Sequence, residues 1–285
     1  MIFIENNINK RVTIYDIAEK ANVSISTVSR VFNNNPSVSK KTRRKVQKVI
    51  DEMNYVPSAI ARSLVSKSSK TIGLIVSDVT NPFFTDTIDG VESVLSAQGY
   101  TVLLCDTRYS FERENKYISQ MFERRVDGII IFSAYAKDED LIKKTKRILP
   151  LVSVQSTFKG VDCINTTDED GAFEAVDYLI KLGHRNIAFL VYDYDNSTIT
   201  NRMKGYLKAH KVNQIPVNKN YIVKSKFSPN VGYYMTIELL EKFPEVTAIF
   251  AYNDVIAIGA YMAINQKGLK IPDDISIIGY DDIEM

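Results

Sequence analysis

From Thr71 onward the sequence changes period, and that change restricts what the chain can fold into more than any other feature. Short apolar runs, TIGLIVS (71–77), YTVLLC (100–105), GIIIFS (128–133), LVSV (151–154), IAFLV (187–191), YIV (221–223), TAIFAY (247–252) and ISIIGY (275–280), alternate with segments of helical spacing. Examples of the latter are Phe84 to Gln98, Asp168 to Leu182, Thr200 to Ala209 and Asn253 to Gln266. Continuously apolar strands are buried on both faces, and strands separated by helices pair in parallel, so the pattern predicts doubly wound α/β sheets. The number of strands suits two lobes better than one.

In open sheets of this kind a ligand sits beyond the carboxyl ends of the strands. That rule selects Ser77 and Asp78, Phe132 and Ser133, Tyr192 and Asp193, Asn253 and Asp254, and Asp281 and Asp282. Polar strand ends facing one another across two lobes describe a cleft for a small hydroxyl-rich molecule, because vicinal hydroxyls need donors and acceptors together.

The stretch before Thr71 is of another kind. Thr13 to Arg30, TIYDIAEKANVSISTVSR, reads as two short helices around a turn at Asn22 and Val23. Thr13 can cap the first with Asp16 at its third position, and Ile14, Ile17, Ala18 and Ala21 share one face. Ser24 is the second cap; Val28, Val31 and Phe32 form an apolar stripe, while Ile25, Ser26, Ser29, Arg30 and Asn33 point away from it. That outer face suits a DNA major groove, where a helix N-terminus reads base edges. An ordinary amphipathic hairpin is the plain alternative. A third helix follows, with Ser39 as its cap and Val46, Val49, Ile50 and Met53 as its apolar face, and Pro57 is expected to stop it. PSAIARSL then has helix propensity but is too short to be stable alone, so it is either a conditional helix or a plain linker.

Charge separates the same two regions. Residues 1–70 hold 13 Lys or Arg against 5 Asp or Glu, a balance of +8, which leaves −6 for the rest of a chain whose net charge is +2. A basic head on an acidic body is what polyanion binding requires. Of the run Lys40, Lys41, Arg43, Arg44, Lys45 and Lys48, some are expected on phosphates and the rest in solvent. Two cysteines, Cys105 and Cys163, fit a reducing compartment better than a disulfide framework. No metal-binding spacing, membrane span or secretory leader is recognisable, so a cytoplasmic, nucleoid-associated protein with no cofactor is expected. No phosphate loop or dinucleotide glycine pattern follows a strand, and neither His184 nor His210 is spaced as a catalytic base, which speaks against an enzyme.

The residues that carry a family resemblance are TIYDIAEKANVSISTVSRVFN, NYVPSAIARSL, KTIGLIVSDVTNPFF, VDGIII, HRNIAFL and AYNDVIAIGAYMAINQKGLKIPDDISIIGYDD, in this order and spacing. With them the chain resembles the LacI family of bacterial transcription regulators from about Arg11 to Ile283. The resemblance implies an α/β protein with a three-helix helix-turn-helix DNA-binding domain followed by two doubly wound parallel-sheet lobes like those of periplasmic binding proteins. It divides the chain into a disordered tail (1–10), the DNA-binding domain (11–57), a hinge helix and linker (58–69), an N-terminal lobe (70–163) and a C-terminal lobe (164–285).

By the family pattern Ile25, Ser26 and Arg30 would read bases, and Thr13, Tyr15, Thr27, Ser29, Asn33, Ser39 and Thr42 would touch phosphates. PSAIARSL matches the hinge helix, with Ser58, Ala61 and Leu64 in the minor groove and Leu64 levering a base step apart. Ser77, Arg202, Asn253 and Asp281 would contact the effector, Arg202 forking two ligand oxygens and Asp281 accepting from hydroxyls. Gln155 stands where many sugar-responsive members carry Asp. The implied partners are a near-palindromic double-stranded operator, a second copy of the chain, and a sugar, sugar phosphate or purine effector, or a protein corepressor. The implied role is repression of carbohydrate-utilisation genes. Members usually run on past GYDD, so the resemblance also implies a C-terminally truncated second lobe. A remnant that binds DNA without a competent effector and dimerisation body is the alternative reading.

Overall fold

In a computed structural model, which describes residues 12–55, 68–132, 139–194, 196–228 and 230–285, the chain forms two compact units, one within residues 1–69 and one within 70–285. The hinge residues Ser58, Ala61 and Leu64, and Ser133, lie outside the described residues.

The first unit holds α1 (Ile14–Lys20), α2 (Ile25–Phe32) and α3 (Lys40–Glu52). Helices of seven or eight residues are marginal alone, so their caps and shared core hold them. Thr13 and Asp16 make a reciprocal capping box, Ser24 accepts from the Thr27 amide, and Ser39 accepts from the Thr42 amide. Asn22 takes the left-handed conformation that the turn demands, with φ 46°. Ile17, Ala18, Ala21, Val28, Val31, Val46, Val49 and Ile50 are buried together, with Ile14, Phe32 and Met53 half-buried around them. The third helix ends earlier than the proline suggests. Met53 caps it and Asn54 turns left-handed, so the exit precedes Pro57.

The second unit carries two sheets in which every strand pair is parallel. Strands β1 (Thr71–Val76), β2 (Thr101–Asp106), β3 (Gly128–Phe132), β4 (Leu151–Val154) and β5 (Asp162–Ile164) run in the order β2-β1-β3-β4-β5. Helices α4 (Pro82–Ala97), α5 (Phe111–Glu123) and α6 (Glu139–Ile148) connect them. Alternation along β1 sends Ile75 toward Ile118, Met121 and Ile131 and sends Leu74 and Val76 toward Phe84 and Phe132, so both faces are covered. β5 escapes the sequence reading because it is a three-residue edge strand whose Asp162 and Ile164 are both exposed.

The other sheet, β6 (Ile187–Tyr192), β7 (Ile222–Ser225), β8 (Ala248–Ala251) and β9 (Ser276–Ile278), runs β7-β6-β8-β9. Its helices are α7 (Asp168–Lys181), α8 (Ser197–Val212), α9 (Val231–Lys242) and α10 (Asp254–Gln266). All residues of β6 and β8 are buried, and Phe189 stacks on Phe250 at 4.8 Å. Gly205 lets α8 lie against α7, since a Cβ there would strike the Glu169 carbonyl and Ala172. That contact sets the depth at which Arg202, one turn earlier, faces Asp168. α4 and α8 begin before the apolar periodicity does, because Asn81 and Asn196 cap them from outside it.

Candidate functional site

In the first unit the positions expected to read bases lie on the solvent face of α2. Ile25 is 40% exposed, and Ser26 and Arg30 are exposed, while Val28 and Val31 behind them close the core. The Ser24 hydroxyl lies 2.8 Å from both Ser26 Oγ and Thr27 Oγ1, so the cap that starts the helix also orients two hydroxyls beside it. Thr13, Tyr15, Asn33 and Ser39 are exposed, and Thr27, Ser29 and Thr42 half-buried, around that face.

The basic run divides by geometry. Arg43 donates from Nη1 to the Val31 carbonyl (3.3 Å) and Asn34 Oδ1 (3.0 Å) and from Nη2 to the Asn35 carbonyl (2.8 Å). It is a clamp on the end of α2, where a cation also meets the negative end of the helix dipole. Lys40, Lys41, Arg44 and Lys45 are exposed, and Lys48 lies 3.9 Å from Glu52.

In the second unit three helix N-termini converge on one cleft between the lobes. Asn81, Asn196 and Asn253 cap α4, α8 and α10, accepting from the amides of Phe83 (3.1 Å), Ile199 (2.8 Å) and Ile256 (3.0 Å), and all three line the cleft. Each cap consumes the side-chain oxygen, and the amide NH2 groups of Asn196 and Asn253 face the hydroxyls of Tyr252 and Tyr192. Gln155, in left-handed backbone at φ 62°, closes the same cleft, and its carbonyl accepts from the Ser197 hydroxyl across the lobes. Thr198 Oγ1 is buried on the cleft wall with no hydrogen-bond partner among the described residues.

Arg202 anchors the floor of the cleft. Its side chain is 3% exposed, and its Nε donates to Asp168 Oδ1 (2.9 Å), Nη2 to Asp281 Oδ1 (3.0 Å) and Nη1 to the Tyr252 carbonyl. The guanidinium lies 3.7 Å from the centre of the Tyr280 ring. Burial pushes the Asp281 carboxyl from an ordinary 3.8 up to about 6, against the pull of Arg202. Tyr252, buried beside them, is pushed up to about 12.

An aromatic wall completes the cleft. Tyr109 comes from the first lobe and packs on Tyr194 (ring centres 5.1 Å apart, planes at 1°), Phe227 (5.3 Å) and Tyr192 (6.0 Å) of the second. Arg108 and Tyr109 are consecutive left-handed residues (φ 48° and 54°), a costly arrangement for side chains other than glycine. The Tyr109 amide bonds to the Ser77 carbonyl (3.2 Å) and the Arg108 amide to Asp106 Oδ1 (3.0 Å), which hold that turn.

Family models match both units. Residues 13–58 match the model described as bacterial regulatory proteins of the lacI family, and residues 69–284 match the one described as periplasmic binding proteins and sugar binding domain of LacI family. The chain belongs to the LacI family. The repressor PurR of Vibrio parahaemolyticus is 38% identical over 96% of this chain and 83% of its own, and the regulator DegA of Bacillus subtilis is 36% identical over 95% and 82%. Among solved structures, the lac repressor dimer bound to operator and the anti-inducer ONPF is 31% identical with a TM-score of 0.80, covering 96% of this chain and 84% of that one. A LacI-family regulator from Enterococcus faecium with bound ribose is 35% identical with a TM-score of 0.65, covering 75% and 79%. As a member of the LacI family the protein is a DNA-binding transcriptional regulator with a ligand-binding body.

Three of the four effector residues expected from the LacI pattern, Arg202, Asn253 and Asp281, come together on the cleft. Ser77 does not line it: the residue is 4% exposed at the end of β1, and it is its carbonyl that serves the cleft, by holding Tyr109. The fork of Arg202 also differs from expectation, because carboxylates of its own lobe already occupy it. Sequence reasoning missed Asp168, Asn81, Asn196, Thr198 and, apart from Tyr192, the aromatic wall. For Asn81 and Asn196 the signal was the residue type alone, since they stand three and four residues ahead of the apolar periodicity at Phe84 and Thr200. His184 is structural, with Nδ1 2.9 Å from Thr247 Oγ1 and Nε2 3.0 Å from Ser276 Oγ at the strand starts. Among the described residues no cluster of three or more His, Cys, Asp or Glu is placed to hold a metal, and no helix is long and apolar enough to cross a membrane.

Proposed function

We propose that the protein is a repressor that binds a near-palindromic operator as a homodimer, with Ile25, Ser26 and Arg30 reading bases, and that a neutral sugar held between the lobes switches its grip. The observation that carries the ligand class is the state of Arg202. Among the described cleft residues it is the one cation, and its charge is already shared by two carboxylates, with three of its five N–H donors given to them and to a carbonyl. A phosphate beside Arg202 would meet the Asp281 carboxylate and a guanidinium already shared between Asp281 and Asp168, and no second cation lines that cleft among the described residues. A polyol meets asparagine donors, a carboxylate acceptor at Asp281 and the unpartnered Thr198 hydroxyl, which is the mixed set that hydroxyl pairs need. Ribose in the E. faecium structure, and cellobiose in a complex of the regulator CelR that is 27% identical with a TM-score of 0.66, are uncharged ligands of the same kind.

Differential binding of the sugar to one arrangement of the lobes is what would make it a switch. Thr198→Val tests the site without disturbing the free protein, because removing an unpaired buried hydroxyl costs little stability. Titration calorimetry with a panel of neutral sugars and their 6-phosphates is expected to find a neutral ligand that Thr198→Val weakens by about 0.5–1.5 kcal/mol. Tighter binding of the phosphorylated sugar, or unchanged affinity in Thr198→Val at unchanged melting temperature, contradicts the assignment.

A further inference from the structure

Two cavities adjoin at the mouth of the interlobe cleft. The first is the polar cleft around Arg202. The second, of about 430 Å³, is largely apolar and is lined from the first lobe by Asp78, Thr80 and Arg108 and from the second by Tyr192, Phe227 and Val231, with others. Asn81 lines both, and Tyr109 lines the first while packing on Tyr192 and Phe227, which line the second. The Tyr109 ring therefore forms the partition between them.

Its seating shows what this partition displaces. Tyr192, Tyr194 and Phe227 surround the ring, and the stack on Tyr194 is parallel to within 1°. Burial among these rings, with Tyr252 and Asp78 nearby, keeps the phenol neutral well above its ordinary range. The place is thus built for a flat six-membered ring that carries no charge. Tyr109 is attached to the first lobe and its ring partners to the second, so separation of the lobes withdraws it. Its backbone is held to Ser77 in the strained left-handed turn, which aims the side chain across the gap.

We infer that Tyr109 is a built-in occupant of a second ring subsite, and that the effector is a neutral two-ring glycoside whose polar ring binds at Arg202 and Asp281 while its second ring replaces Tyr109 on Tyr194 and Phe227. The inference rests on the neutral-sugar reading above and extends it from a one-ring to a two-ring ligand. It makes Tyr109 a specificity-determining residue: the ring excludes two-ring ligands until they displace it, and bears less on one-ring ligands.

Calorimetric titration of the full chain and of Tyr109→Ala and Tyr109→Phe tests this, using glucose and galactose, the disaccharides cellobiose, maltose and lactose, and the p-nitrophenyl glycosides of the two monosaccharides. The disaccharide and aryl arms distinguish a sugar from an aromatic second ring. Tyr109→Ala is expected to bind a two-ring ligand at least tenfold more tightly than the native chain, a gain larger than that for either monosaccharide, and Tyr109→Phe, which keeps the ring, is expected to behave as the native chain. Equal changes for one-ring and two-ring ligands, or weaker two-ring binding in Tyr109→Ala, overturn the inference while leaving the sugar reading intact. Absence of binding by every ligand to all three proteins overturns both. Because the chain has no tryptophan, Tyr109→Trp supplies a single reporter: emission shielded from acrylamide without ligand and exposed by a two-ring ligand agrees with displacement, and unchanged shielding at saturation contradicts it.

Discussion

The head and the body bury their arginines in opposite ways. On the head, Arg30 stands exposed on a helix whose other face is core, so the surface that meets a partner and the surface that holds the fold are separate. In the body, Arg202 is buried, and two of the residues that hold it, Asp281 and Tyr252, line the same cleft as Arg202 itself, while Asp168 holds it without lining the cleft. Function and stability are therefore separable in the head and coupled in the body.

Substitutions of matching type probe that contrast. The largest effect is expected from Arg202→Met, which strands two buried carboxylates and should cost about 3–5 kcal/mol of body stability in chemical denaturation. The melting of the head should stay unchanged. A loss below about 1 kcal/mol would mean that the pair is screened and the coupling weak. Arg30→Ala should leave stability untouched and remove about 1–3 kcal/mol of discrimination at one operator position, whereas Lys40→Ala should lower affinity for all DNA alike. Binding to operator and random duplexes at several salt concentrations separates the two; equal losses from Arg30→Ala on both would end its reading role. Arg43→Ala is expected to behave unlike its basic neighbours, destabilising the head by about 1–2 kcal/mol through the lost clamp on α2, with an unchanged salt slope for nonspecific DNA. A reduced slope would return Arg43 to the phosphate set.

The smallest effect concerns protons. The carboxyl of Asp281 is raised in the free protein, so its contribution to stability is present below an ordinary 3.8 and is lost as pH rises through about 6. A sugar that donates to the ionised form lowers that value again, so affinity should weaken severalfold as pH falls from 7 to 5. Calorimetry across that range, with Asp281→Asn expected to flatten the profile, checks it.

The same contrast explains how much the sequence reveals. The head is legible because its signals are local: Thr13, Ser24 and Ser39 cap what they precede, and the apolar faces repeat within single helices. The central strands of the body are legible for the same reason. What is hidden depends on residues far apart in the chain. Asp168 meets Arg202 only because Gly205 lets α7 and α8 close on each other, and Tyr109 meets Tyr194 only across two lobes. Periodicity carries no information on such pairs. Tyr252 reads simply as the last apolar residue of its strand, and Tyr192, though selected by the strand-end rule, carries no sign that Tyr109 packs on it. Arg43 is hidden differently, as one clamp within a run of like charges that a composition argument treats as equivalent.

Coupling between a basic head that selects a duplex and a body that binds a neutral sugar is the central claim, and one titration addresses it most directly. An operator selected from random DNA is held by the purified chain at moderate salt against excess competitor, and a sugar that raises the melting temperature of the body is added. A change in operator affinity of at least fivefold, with no change in the affinity for random duplex, is the result predicted. The same sugar saturating the body while operator affinity stays constant would contradict the account.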